Sequence, residues 1–107
     1  MNKKELESKF EAEMLRLYEE AKKLGYNATR FLQMFRRFGG VATAKKLLAN
    51  EDYIQEGIIK LCELGRLDLS AEALVSKPEY KDLFTETELA TARKRLKELD
   101  YNFSPPN

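Results

Sequence analysis

A chain of 107 residues has material for one hydrophobic core and not for two. With 43% hydrophobic and 35% charged residues it is too apolar for intrinsic disorder, and no apolar run approaches the roughly 20 residues that cross a bilayer. A single cysteine, Cys62, and no histidine exclude an intrachain disulfide, deny a zinc site both of its usual ligand types and remove the commonest general base. A folded, non-enzymatic, cytoplasmic domain with no metal, no other cofactor and no membrane segment is the expectation.

In chain order, residues 3–24 read as a long first helix. Leu6, Phe10, Met14, Leu17, Ala21 and Leu24 fall within about 80° of arc at the helical 100° per residue, and Gly25 stops the run. From Phe10 the spacing is that of a heptad seam, but it lasts barely two heptads, so packing inside its own bundle is expected ahead of a homodimer through this helix. Asn27 is placed to cap a second helix over 28–38, with Phe31, Met34, Phe35 and Phe38 as its apolar stripe and Gly39-Gly40 as its end. Val41, Ala44, Leu47 and Leu48 mark a third helix over 41–49. Asn50 and Asp52 supply turn chemistry before a fourth, Tyr53 to Leu64, stopped by Gly65.

Arg66-Leu67-Asp68-Leu69 alternates like a strand, yet no second strand is available to pair with it, so an extended link is predicted. Ser70 caps a short helix around Ala71 to Val75, Pro78 suits the first turn of another through Phe84, and Thr85-Glu86-Thr87-Glu88 is a capping box for a last helix through Leu99. Leu89, Ala92, Leu96 and Leu99 give that helix its buried side. The ending, 102–107, reads as a frayed tail. The predicted fold is all-α, a compact bundle of four main helices plus two short helices: residues 1–25 form an amphipathic helix belonging to or docked on a core domain of residues 26–101.

The run from Tyr26 through Phe31, Met34, Gly39-Gly40, Ala44-Lys45 and Leu47-Leu48 continues into Gly57, Leu61 and Gly65-Arg66-Leu67-Asp68-Leu69-Ser70-Ala71-Glu72. With Leu83-Phe84-Thr85, Glu88-Leu89, Ala92-Arg93 and Arg95-Leu96, it resembles a small bacterial helical domain of unknown function. That domain looks like one found both free-standing and as an appendage of larger proteins, some of them nuclease-like. The resemblance covers residues 26–101, leaves the first helix outside, implies an accessory role and carries no catalytic residues.

Charge is unevenly placed. Residues 1–20 hold four basic and six acidic residues, residues 21–50 seven basic and none acidic, and residues 51–107 eight basic and twelve acidic. On the second helix, with Arg30 at 0°, Arg37 lies at about 340°, Gln33 at about 300° and Arg36 at about 240°, opposite a phenylalanine stripe centred near 90°. Arg30, Gln33 and Arg37 therefore share a ridge, which Arg36, Lys22, Lys23, Lys45 and Lys46 can widen. Three uses of this face compete: a solvated surface neutralised by Glu11, Glu19 or Glu20 of the first helix, a site for a larger acidic protein, or a site for nucleic acid. The protein partner is preferred over nucleic acid because the sequence pI of about 7.8 lacks the basic excess of dedicated nucleic-acid binders.

Other candidates favour structural roles. Gly39-Gly40 lacks the preceding strand and the Gly-Lys-Ser/Thr ending of a phosphate loop, so it reads as an interhelical turn. Arg66, Asp68 and Glu72 read as a local ion pair and a first-turn acid rather than an acid/base cluster. Cys62, beside Leu61 and with no histidine to activate it, reads as a buried, inert thiol. Tyr18, Tyr26, Tyr53, Tyr80 and Tyr101 are dispersed, where a base-stacking platform needs several on one surface.

Overall fold

The computed structural model describes residues 2–49 and 51–99, with the backbone alone for 51–56. The expectations for Asn50, for the Asp52 and Tyr53 side chains, for Tyr101 and for the tail at 102–107 lie outside the described residues. Among the described residues six α-helices follow one another: α1 (Lys3–Lys23), α2 (Thr29–Phe38), α3 (Gly40–Ala49), α4 (Glu51–Glu63), α5 (Ala71–Val75) and α6 (Glu86–Glu98). Two 3₁₀ turns, Leu67–Leu69 and Pro78–Leu83, flank α5, and no strand occurs among the described residues.

Most boundaries have a local cause. The Asn2 side chain accepts the Glu5 N–H at the start of α1, and Gly25, at φ 97°, lets the Tyr26 N–H turn back to the Ala21 carbonyl at its end. Gly65 does the same for α4, with φ 71° and the Arg66 N–H donated to the Leu61 carbonyl. Ser70 caps α5 by accepting the Ala73 N–H. Both bonds of the capping box form at α6: Thr85 Oγ1 accepts from the Glu88 N–H and the Glu88 carboxylate accepts from the Thr85 N–H.

Two local expectations fail. Asn27 does not cap α2: that helix starts after Ala28 with no side-chain cap, and Asn27 Oδ1 instead accepts the Tyr18 hydroxyl at 3.0 Å. A tertiary donor has displaced the local one. The link at 66–69 is a 3₁₀ turn, closed by N–H groups of Leu69 and Ser70 on the carbonyls of Arg66 and Leu67, so the alternating pattern reflects two buried leucines on one tight turn.

The α1 stripe is the spine of the core. Phe10, Met14, Leu17 and Ala21 are all buried, with Phe10 edge-on to Tyr80 at 5.0 Å and to Phe84 at 5.2 Å. The heptad-like seam therefore packs inside this chain, against α3 and the 3₁₀ turns. Burial pushes the Tyr80 phenol above its usual pKa, with the nearby Glu13 carboxylate acting the same way. A smaller cluster of Ile58, Leu67 and Leu96 ties α4 to α6. Cys62 packs at its edge and is half-buried, not the fully buried thiol expected, because its place on α4 borders the cluster instead of entering it.

The Gly39-Gly40 pair divides its work. Gly39, at φ 84°, gives its N–H to the Phe35 carbonyl, ending α2, and its own carbonyl accepts from the Thr43 N–H, starting α3. Gly40 has no positive φ; it is where α3 touches α1. A Cβ there would stand 2.8 Å from Glu11 Cα and 3.1 Å from Glu11 Cβ. One turn on, Thr43 is fully buried, and its hydroxyl has no hydrogen-bond partner among the described residues. Thr43→Val removes that orphan while keeping the shape. The expected result is a gain of about 1 kcal/mol in denaturant unfolding, since an unsatisfied buried hydroxyl carries its desolvation cost uncompensated. A loss of stability instead would mean that the hydroxyl is bonded.

Candidate functional site

The ridge lies on a helix that is peripheral to the core. No residue of α2 is fully buried: Phe31, Met34 and Phe35 are half-buried, and Phe38, expected to complete the apolar stripe, is 40% exposed. The opposite face presents Arg30, Gln33, Arg36 and Arg37 to solvent, as the helical angles require.

At the α2–α3 corner the structure brings charge and aromatic surface together. Lys46 Nζ stands 4.3 Å from the Phe38 ring centroid and Arg37 Cζ 5.3 Å from it, so two cations share one exposed ring. Lys46 and Arg37 thus belong to one patch although they sit on different helices. Arg36, Arg37 and Lys46 pair with none of the described carboxylates.

The other candidates separate from this patch. Lys45 turns to α6, where Nζ donates to Glu88 Oε1 at 2.7 Å and lies 5.3 Å from the Phe84 ring. Burial opposes ionisation of Glu88, but Lys45 and the Thr85 N–H outweigh it and hold that carboxyl below its usual pKa. Lys45 is therefore a fastener between helices. Arg30 already makes an interaction within the chain. Lys23 pairs with Glu20 on α1, both exposed. Glu11 lies at the glycine pair, with Oε2 accepting the Gly40 N–H at 3.3 Å.

Arg66 and Asp68 form the expected local pair, two parallel bonds of 3.0 Å on the surface, and Arg66 draws the Asp68 carboxyl below its usual pKa. Glu72 is different. It is 2% exposed, and Arg95 of α6 reaches it at 3.2 Å while donating to the Leu47 and Leu48 carbonyls at the end of α3. Burial pushes the Glu72 carboxyl above its usual pKa, and Arg95 opposes the shift. One guanidinium thereby joins α3, α5 and α6. Sequence reasoning missed this partner, although Arg95 lies only about 40° round α6 from Leu99, at the edge of its apolar stripe.

Among the described residues there is no group of three or more Cys, Asp or Glu side chains able to hold a metal ion, and no helix long and apolar enough to cross a membrane. Tyr18 and Tyr80 are buried and Tyr26 half-buried, so these three tyrosines make no exposed stacking platform. In comparison with protein-family models, curated proteins and solved structures, no match to this chain is found.

Proposed function

We propose that this chain is a non-enzymatic interaction module whose α2–α3 corner binds an acidic segment of a larger protein. The observation that carries this reading is the Phe38 ring shared by Arg37 and Lys46, with Gln33 and Arg36 exposed on the same helix and no acid anywhere in residues 21–50. Carboxylates of a partner would meet the guanidinium groups, and an apolar side chain beside them would cover the ring. Aromatic and arginine side chains together are the usual anchors of protein interfaces. On this reading the scaffold is a bundle of four main helices whose task is to hold the corner rigid, and the resemblance to an appended domain fits an accessory role.

Nucleic acid is the second reading. A single exposed aromatic among the described residues and a net charge of +1 favour the protein partner, because single-strand binders combine a basic groove with several stacking rings.

The test is capture from native lysate with and without nuclease, using the wild-type chain and Arg37→Glu/Lys46→Glu. Both positions are exposed, so the double variant should keep its Tm to within the shift expected of about 0.5 kcal/mol. Nuclease-resistant capture by the wild type, weakened by salt and lost in the variant, is the expected outcome. Capture abolished by nuclease would transfer the site to nucleic acid. Equal capture by both chains would remove this face from consideration.

A further inference from the structure

While its outer face carries the basic ridge, the inner face of α2 forms one side of a half-open cleft of about 140 Å³. Met14, Leu17 and Tyr18 of α1, Phe31 and Met34 of α2 and Leu61 of α4 stand on its wall. Small-molecule sites are concave, mostly apolar clefts with a few polar groups on the wall, so a space of this kind asks for an occupant.

Water is a poor one. An ordered water is held by two to four polar partners, and the polar groups on the wall are engaged already. The Tyr18 hydroxyl donates to Asn27, the Ser70 hydroxyl to the Leu67 carbonyl, and Glu72 accepts from Arg95. Arg30 and Tyr26, which also line the space, have interactions of their own within the chain.

We infer that this cleft binds a small uncharged aromatic molecule, a site independent of the basic corner. Size is the first argument: an apolar space of about 150 Å³ is large enough for benzene. The wall supplies the second. Tyr18 and Phe31 stack at 6.0 Å with their planes 13° apart, putting two near-parallel rings at the wall, and Met14 and Met34 are adaptable side chains whose sulfurs favour ring contacts. Charge is the third: both charged side chains on the wall are engaged within the chain, Glu72 by Arg95 and Arg30 by an interaction of its own, and an ion entering an apolar space without a partner meets a large desolvation penalty.

The probes are benzene, cyclohexane and indole, titrated into the full 107-residue chain with its methionine methyls labelled. Benzene should shift the Met14 and Met34 resonances along one saturable curve and raise Tm by about 5 °C or more at ten times Kd. Cyclohexane should bind more weakly than benzene. Met34→Ala enlarges the space and should move the preference towards indole by about tenfold, whereas Ala28→Leu, at a half-buried wall position, should abolish the benzene response. Absent or non-saturable methyl shifts in the wild-type chain overturn the site whether or not the variants fold. Cyclohexane binding as tightly as benzene overturns the aromatic preference, and an undiminished benzene response in folded Ala28→Leu places the ligand elsewhere.

Discussion

Arg95→Met is expected to destabilise the protein by about 3–5 kcal/mol, the usual cost of removing one partner from a buried ion pair. Glu72 is 2% exposed and has Arg95 as its cation, while the same guanidinium satisfies the Leu47 and Leu48 carbonyls where α3 ends. Taking it away leaves an acid in apolar surroundings and two carbonyls without their side-chain donor. For a domain of this size Tm should fall by more than about 10 °C.

The pH dependence carries the diagnosis. Glu72 has a folded pKa raised above its ordinary value of 4.5, by burial first. Its contribution is therefore fully present below pH 4.5 and is lost as pH rises through the raised folded value. Removing Arg95 takes away the opposing interaction and raises that value further, so the deficit of Arg95→Met should be greatest at neutral pH and shrink on acidification. Glu72→Leu/Arg95→Met should recover much of the loss, because an apolar pair of similar volume avoids the stranded charge. Denaturant unfolding of the three chains at neutral and acid pH tests this. A deficit in Arg95→Met that does not vary with pH would mean that the lost carbonyl contacts, and not Glu72, are responsible.

Gly40→Ala should cost about 2–3 kcal/mol, more than the same change at Gly39. The two neighbours fail for different reasons. At Gly39 the cost is conformational: φ is 84°, which an L-residue adopts with strain of about 1 kcal/mol, and the nearest obstacle, Glu11 Oε2 at 3.3 Å, ends a side chain that can swing aside. At Gly40 the obstacle is the α1 backbone, with Glu11 Cα 2.8 Å from the new Cβ, so α1 and α3 must separate along the contact that carries Phe10 and Met14. Overpacking of this kind costs about 1–3 kcal/mol, and the gain in helix propensity, under about 1 kcal/mol, does not offset it at a first-turn position. Denaturant unfolding of the two single variants decides the matter. Should Gly39→Ala prove the more damaging, the close approach of α1 and α3 is not what requires glycine here.

Boundaries were legible in the sequence wherever the hydrogen bonds that make them are local. The Thr85–Glu88 box, the Ser70 cap and the stops at Gly25 and Gly65 all close within five residues, so spacing alone shows them. The same holds for the exposed face of α2, since helical geometry places Arg30, Gln33 and Arg37 together whatever the rest of the chain does. Even here the sequence says which face is basic and not how deeply the other one is buried: Phe38 belongs to the stripe by angle and stands 40% exposed at the α2–α3 corner.

Partnerships across the chain were decided only by tertiary structure. Lys45 and Lys46 are adjacent in sequence, yet about 100° apart on α3, so one pairs with Glu88 and the other lies over Phe38. Glu72 looked like a first-turn acid until α6 brought Arg95 to it from 23 residues away, and Gly40 looked like half of a hinge until Glu11, 29 residues earlier, was found against it. The cleft beneath α2 has no sequence signal at all, because it is a gap between α1, α2, α4 and α5 and is defined by how closely they approach. Periodicity assigns a side chain to a face of its own helix; what that face meets depends on the distances and angles between helices, which short-range pattern does not encode.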